Sequence, residues 1–403
     1  IEKFPSFNPD SMLKELPNKI RITLRGRDVW IRAYQLTQHG CCGNNVTIFF
    51  LDTYLDNNID EDKAISLRLY SGDNNHRILQ EAVLGFGGVA LLESLGLEKI
   101  NTYHMNEGHC SFLTLALLKK FNFDADEVRS RCHFTTHTPV EAGHDHFSIA
   151  RCRDILADLV PQDLELPSLI SKNRLHMTEL GLYFSRSANG VSKLHGKVAQ
   201  KQFPDFKIDY VTNGVYHPHW VGNAFCKLFD DRLQNWRLNP NLLLDLNNIS
   251  DEDLMNAHHY QKKDLITYVN LKSKSQLSSN ILTIGFARRA AEYKRACLIF
   301  SDLKRLSGFG KDKIQFIFAG KAHPNDKKGK QIIQDIINFS KKLSDSISVV
   351  FLENYDMTLG KLITSGVDVW LNTPLRPNEA SGTSGMKAAL NGVPNISIID
   401  GWW

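Results

Sequence analysis

Val367-Asp-Val-Trp-Leu371, then Asn378-Glu-Ala-Ser-Gly-Thr-Ser-Gly-Met-Lys-Ala-Ala-Leu-Asn-Gly392, then Asn395-Ile-Ser-Ile-Ile399 read in order as strand, small-residue turn running into a helix, and strand. Short continuous apolar runs of this kind are strands buried on both faces. The helix between them is expected over 385–390. Working backwards, the apolar runs 282–286, 314–319 and 348–352 add strands, and 295–306, 327–341 and 358–365 read as the helices between them. Strand and helix alternate throughout, which predicts a doubly wound parallel sheet of Rossmann type. Ligands of such a sheet lie outside the carboxyl ends of its strands.

The first part is mixed as well. Runs 20–24 and 29–33 flank Arg25-Gly-Arg-Asp28 as a hairpin, and 46–51 is another strand. Residues 76–95 form a helical run interrupted by Gly85, Gly87 and Gly88. Strands are expected at 102–105, 132–136 and 209–212, each followed by a polar loop and a helix. The polar stretch 271–280 is the best linker. The expected architecture is therefore two Rossmann-like αβα domains, 1–275 and 276–403, with a cleft between them.

A chain of 403 residues exceeds one ordinary core and suits two domains. Hydrophobic content of 42% with 23% charged residues is that of a soluble globular protein. The net charge of +4 biases it weakly towards anions and falls far short of a nucleic-acid-binding signal. Seven cysteines, with Cys41-Cys42 vicinal and no C-x-x-C spacing, favour a reducing cytoplasm over a disulfide framework or a zinc knuckle. No apolar run is long enough to span a membrane. The chain starts at Ile1 and stops at Trp403 directly after a strand, so both ends read as cut within a longer protein.

Chemistry concentrates at three strand ends. In 378–392 the small residues let backbone N–H groups turn inward, and the following helix start adds free N–H groups, a natural place for a phosphate. Lys387, read as lying on the first helical turn, stands where a structural helix would favour an acid. A phosphate cradle with one lysine suits a phosphorylated cofactor held on that lysine as a Schiff base; an N-cap turn with a surface lysine is the plain alternative. The second cluster, Phe286-Ala-Arg-Arg-Ala-Ala-Glu-Tyr-Lys-Arg295, puts Arg288, Arg289, Lys294 and Arg295 beside a strand end, where they clamp phosphate or simply form a solvated face. The third comprises Met105-Asn-Glu-Gly-His109, Thr135-Thr-His-Thr138 and Asn213-Gly214, each after a strand.

Glu379-Ala-Ser-Gly-Thr-Ser-Gly-Met-Lys387 followed by Asn391-Gly392 resembles the pyridoxal-phosphate segment of the α-glucan phosphorylases. Pro374-Leu-Arg-Pro-Asn-Glu379, Asp400-Gly-Trp-Trp403 and Tyr70-Ser-Gly-Asp-Asn-Asn-His76 resemble that family's shorter bacterial and archaeal branch. The resemblance runs from about residue 67 to 403. It implies the two-domain GT-B-type architecture and pyridoxal 5′-phosphate as cofactor, with Lys387, Arg288, Tyr355, Thr383 and Ser384 around it. It implies phosphate binding by Arg289 and Lys294, and sugar contacts by His137, Asn213, Glu379, Glu107 and His109. Gly320-Lys321-Ala322 resembles a family turn with Ala319 in place of its first glycine. Arg288 replaces a lysine, Glu107 an aspartate, and Ser384 a glycine of longer members. The family's glycine-rich loop is expected in a segment before Ile1.

The activity implied is phosphorolysis of a terminal α-1,4-linked glucose of glycogen or maltodextrin by inorganic phosphate, giving α-glucose 1-phosphate. The alternatives are a nucleotide-sugar glucosyltransferase of the glycogen synthase type, which shares the architecture but needs no such lysine, and an inactive glucan-binding fragment. Nucleic acid and membrane are not expected partners. Oligomeric state stays open, a homo-oligomer included.

Overall fold

The computed structural model describes residues 8–68, 72–160, 170–171, 173–244, 246–323 and 326–403. Tyr70 and Ser71 of the loop 70–76 thus lie outside the described residues. The chain divides into two compact units between Val211 and Thr212.

The first unit opens with an antiparallel meander, β1 (Lys14–Leu24), β2 (Arg27–His39) and β3 (Asn45–Asp52). Arg25 and Gly26 both have positive φ, 54° and 72°, as a two-residue type I′ hairpin requires. The turn is therefore tighter than the four residues expected, and pairing continues to Leu24 and Arg27. Next come β4 (Tyr103–Asn106), β5 (Cys132–Thr135), β6 (His146–Ser148), β7 (Ile170–Ser171), β8 (Arg174–His176), β9 (Ser187–Gly190) and β10 (Ile208–Tyr210). Four of them form a parallel sheet in the order β10-β9-β5-β4, and β6-β8-β7 make a small antiparallel sheet that the sequence reading missed. Short strands with interspersed histidines carry neither a clean alternation nor an apolar run.

The glycines at 85–88 do not interrupt their helix. Asn74–Ala82 passes through a π-helical turn, Val83–Gly87, into Gly88–Ser94. A Cβ on Gly85 would lie 2.6 Å from the Leu113 backbone nitrogen. Glycine there lets two helical backbones touch.

The second unit holds one parallel sheet of β11 (Leu282–Ala287), β12 (Ile314–Ala319), β13 (Ser348–Leu352), β14 (Val369–Asn372) and β15 (Asn395–Ser397), in the order β13-β12-β11-β14-β15. The strand order reverses between β11 and β14, and a switch point of this kind opens a crevice at the carboxyl ends. One face is covered through Leu265, Val269, Ile363 and Trp370, the other through Phe300, Phe316, Phe318, Ile336 and Leu343. The expected helix 295–306 is split into a 3-10 turn, Ala296–Phe300, and Leu303–Ser307, because Asp302 caps a new start by accepting the Arg305 N–H.

The division at 211/212 lies well before the 275/276 boundary expected from the polar stretch. The cause is a long helix, Asp251–Ser273, which buries Leu265, Ile266 and Val269 on the second sheet. The stretch after it is tied down, with the Leu277 N–H donating to Asn270 Oδ1 (2.8 Å) and the Ser278 N–H to Gln315 Oε1 (3.1 Å). Polarity there reflects bonding to the long helix and to β12, not a free linker. Among the described residues no helix is long and apolar enough to cross a membrane.

Asp368 fastens the long helix to the sheet. Its carboxylate accepts from Lys262 Nζ (2.6 Å) and the Thr283 N–H (2.7 Å), and pairs with His258 Nε2 at 2.9 Å. Burial opposes ionisation, but these donors prevail and hold its pKa below the ordinary value. This stabilisation is present above the ordinary aspartate pKa and is lost as pH falls through the lowered one. Asp368→Ala leaves the buried Lys262 ammonium without a counter-charge, only the Ile281 carbonyl (2.9 Å) remaining, and should cost about 3–5 kcal/mol. Urea unfolding at neutral pH measures this, and a loss below about 1 kcal/mol would refute it.

Candidate functional site

Arg288 is the first residue beyond β11, and Asn372 is the last of β14, across the switch point. The Arg288 guanidinium bonds Asn372 Oδ1 through one arm and donates to Glu379 Oε2 through the other at 2.5 Å. Lys294 Nζ lies 2.9 Å from both oxygens of the same carboxylate. All three ionic side chains are at most 10% exposed. Burial pushes the Lys294 ammonium down to about 7, with the Arg288 charge adding to the effect and Glu379 resisting it. Burial would raise Glu379, but Arg288 and Lys294 hold its pKa below the usual carboxylate value. Arg289, next in sequence, is exposed.

Close packing fixes this corner. The Arg288 N–H donates to the Ala319 carbonyl (3.1 Å), and a Cβ on Gly320 would sit 2.1 Å from the Arg288 oxygen. Arg295, in the left-handed region, donates from its guanidinium to the Thr373 and Pro374 carbonyls, each at 2.9 Å. Tyr355 follows β13 and lies near enough to Arg288 to feel its charge, although burial dominates and raises the phenol pKa.

The turn 379–385 is locked from behind by the last residues of the chain. Asp400 accepts the Glu379 and Gly401 N–H groups at 3.0 and 2.9 Å, and Trp402 donates from its ring to the Gly382 carbonyl and from its backbone to that of Ser381. Gly382, at φ 85°, turns the chain straight into the helix Thr383–Ala389. That helix starts two residues before the expected Gly385, so Lys387 lies in its last turn and not its first. The hydroxyls of Ser381 and Ser384, on either side of Gly382, are buried without a hydrogen-bond partner. Buried orphan donors are rare and point to a missing acceptor.

Lys387 is half-buried, its ammonium 3.6 Å from the centre of the Trp220 ring. Burial lowers its pKa from the ordinary lysine value. Asn391, fully buried, ties the two together: it donates to the Trp220 and Lys387 carbonyls (2.9 and 2.8 Å) and accepts the Gly222 N–H (2.6 Å). Two unpaired serine hydroxyls, a desolvated lysine and a buried cation pair fit a phosphorylated aldehyde such as pyridoxal phosphate. Sequence reasoning missed Trp220, Asn372, Asp400 and Trp402. Only the last two had a signal, as part of a quoted motif whose role was unread.

In the first unit, Glu107 follows β4 and His137 follows β5, at the carboxyl ends of neighbouring parallel strands. Glu107 accepts the His137 N–H at 2.6 Å and the Gly108 N–H at 3.0 Å, and holds φ at 83°, an uncommon conformation for a side-chain-bearing residue. Burial raises its pKa, with the two backbone donors opposing. His137 Nε2 is 2.5 Å from Asn106 Oδ1, and burial keeps the ring's pKa below its ordinary value. His109 is half-buried one turn further on, its pKa also lowered by burial, with Arg77 adding to it. The structure thus brings Glu107 and His137 together. Asn213, half-buried after β10, falls within the second unit instead of the first.

Known proteins match this chain over most of its length. A family model described as carbohydrate phosphorylase matches residues 150–402. The chain is 37% identical to a maltodextrin phosphorylase of Thermococcus litoralis, over 100% of this chain and 53% of that protein. It is 38% identical to a glycogen phosphorylase of Aquifex aeolicus (88% of this chain, 58% of the relative) and 34% identical to one of Mycobacterium tuberculosis (98% and 51%). The chain spans about half the length of these curated relatives. The matched segment contains the Arg288–Glu379–Lys294 cluster, the serine turn and Lys387, and the chain belongs to the carbohydrate phosphorylase family.

Proposed function

We propose that the protein is an α-1,4-glucan phosphorylase, using inorganic phosphate to release α-glucose 1-phosphate from glycogen or maltodextrin with pyridoxal 5′-phosphate as cofactor, in a reducing cytoplasm. The observation that carries this reading is the pairing of a desolvated Lys387 with orphan Ser381 and Ser384 hydroxyls in the same segment as a buried Arg–Glu–Lys cluster. A site of this kind has the donors for phosphate oxygens already in place. The names of the maltodextrin and glycogen phosphorylase relatives support the same substrates.

Lys387 is the point of covalent attachment, and its lowered pKa favours the free amine that attachment needs. Ser381, Thr383, Ser384, Arg288 and Tyr355 would hold the cofactor's phosphate end. When bound, the cofactor would supply a phosphate group beside inorganic phosphate, able to serve as the general acid–base partner for the departing glycosidic oxygen. Lys294 and the exposed Arg289 hold inorganic phosphate against that neighbouring anion. Glu379 is the resident counter-ion: it keeps Lys294 and Arg288 oriented and yields Lys294 in part when phosphate arrives. On the first unit, His137 offers a ring nitrogen to the glucosyl unit while Asn106 fixes the ring and Glu107 fixes its backbone.

Three outcomes test this. Borohydride reduction of protein incubated with pyridoxal phosphate should leave the label on Lys387; a labelled peptide from elsewhere removes the assignment.

The Lys294 charge diminishes as pH rises through about 7, so inorganic phosphate should bind more weakly above that pH. The phosphate's own ionisation gives a background common to all variants. Lys294→Arg, always charged, should flatten the curve relative to wild type. Superimposable pH profiles would remove Lys294 from the phosphate site.

Sugar and phosphate recognition should also separate. His137→Ala is expected to abolish most turnover, since positioning contributes up to about 7–11 kcal/mol. It should leave the cofactor absorbance unchanged. Loss of the cofactor band in folded His137→Ala protein contradicts the assignment.

A further inference from the structure

Away from these residues, the small sheet of the first unit carries a group that the proposed reaction does not use. His146 on β6 and His176 on β8 are direct cross-strand partners. Their side chains therefore stand on one face of the ribbon, with ring centres 4.0 Å apart. Glu141, on the 3-10 turn Glu141–Gly143, brings Oε1 to 3.3 Å from His146 Nε2. One ligand atom from each of the three residues lies within 4.8 Å of the other two.

We propose that Glu141, His146 and His176 bind one divalent transition-metal ion of the zinc type. Zinc takes imidazole nitrogen at about 2.0–2.1 Å and carboxylate oxygen at about 2.0–2.2 Å, so donors around one tetrahedral ion stand about 3.3–3.5 Å apart. The Glu141–His146 separation of 3.3 Å already meets this. The three donor atoms lie within 4.8 Å of one another, so the widest gap closes with a movement of about 1.4 Å at most.

Two imidazoles with one carboxylate suit zinc and its neighbours, not calcium or magnesium, which want an all-oxygen shell. Three protein donors with an exposed carboxylate leave a fourth position for water.

The surroundings are ordered for this role. The His176 Nδ1 accepts the Glu179 N–H at 3.4 Å, a bond long enough to give up, or to keep while the other nitrogen meets the ion. His144 packs against His176 at 5.6 Å and is oriented by Thr178 Oγ1 at 2.9 Å, while its Nε2 is buried without a partner. The Arg174 guanidinium, the nearby cation, is engaged on the His146 carbonyl at 3.0 Å. Metal capture replaces the direct contact between His146 Nε2 and Glu141 Oε1. It would pin the turn 141–143 to the β6–β8 ribbon, and that turn begins four residues after His137.

Chelator-stripped protein titrated with Zn2+ against a chromophoric chelator should take up one tight equivalent. His146→Ala and Glu141→Gln should each weaken it by more than about tenfold, the low end of what changes even outside the ligand shell cost. With Co2+ the site should give tetrahedral d–d bands without a thiolate charge-transfer band. Failure to saturate at one equivalent overturns the proposal. So does a thiolate band, or uptake lost in Cys42→Ser and kept in His146→Ala, which would move the ion to the exposed Cys41-Cys42 hairpin tip.

Discussion

A buried carboxylate shared by two cations is the constraint on which the second unit is built. An isolated charge in a protein interior costs several kcal/mol, and mutual attraction repays this only with good geometry and saturated hydrogen bonds. Glu379 meets both conditions, with Arg288 at 2.5 Å and Lys294 at 2.9 Å on two oxygens. The cluster joins the end of β11, the end of β14 through Asn372 and the turn 379–385, the three edges of the crevice. Net positive charge remains, because two cations face one acid. A polyanion entering there would replace part of the role of Glu379 and meet two cations that are already desolvated.

The first unit solves a related problem differently. Glu107 is a half-buried acid beyond a parallel strand, but its oxygens are met by backbone N–H groups. A residue at positive φ costs on the order of 1–3 kcal/mol. Two bonds to a charged acceptor, each stronger than a neutral one, offset that. The strain is what aims the carboxylate at the His137 backbone. One acid thus balances charge, and the other shapes a loop.

Much of this was legible in the chain. The strands 314–319 and 348–352 follow directly from their apolar runs, and the switch-point clusters were found because ligands gather at strand carboxyl ends. What could not be read was tertiary in origin. Glu379 was expected to touch substrate, and nothing local tells that Arg288 and Lys294 fold onto it from far along the chain. The helix Asp251–Ser273 escaped because its charged and polar residues dilute the apolar stripe that marks a buried face. Trp220 had no motif to mark it; only the fold brings it over Lys387.

The position of Lys387 changes the physical account of its lowered pKa. A lysine on the first helical turn would be pushed towards the neutral amine by the positive end of the helix dipole. In the last turn that same dipole favours the ammonium, and so does the face of Trp220. Yet its pKa is lowered, with burial as the cause. Desolvation acts against both of these effects. The ammonium is desolvated by the packing that Asn391 enforces between Trp220, Gly222 and the helix. It follows that the lysine's lowered pKa depends on a contact between 220–222 and 387–391, segments far apart in sequence, and not on the glycine-serine turn that first draws the eye.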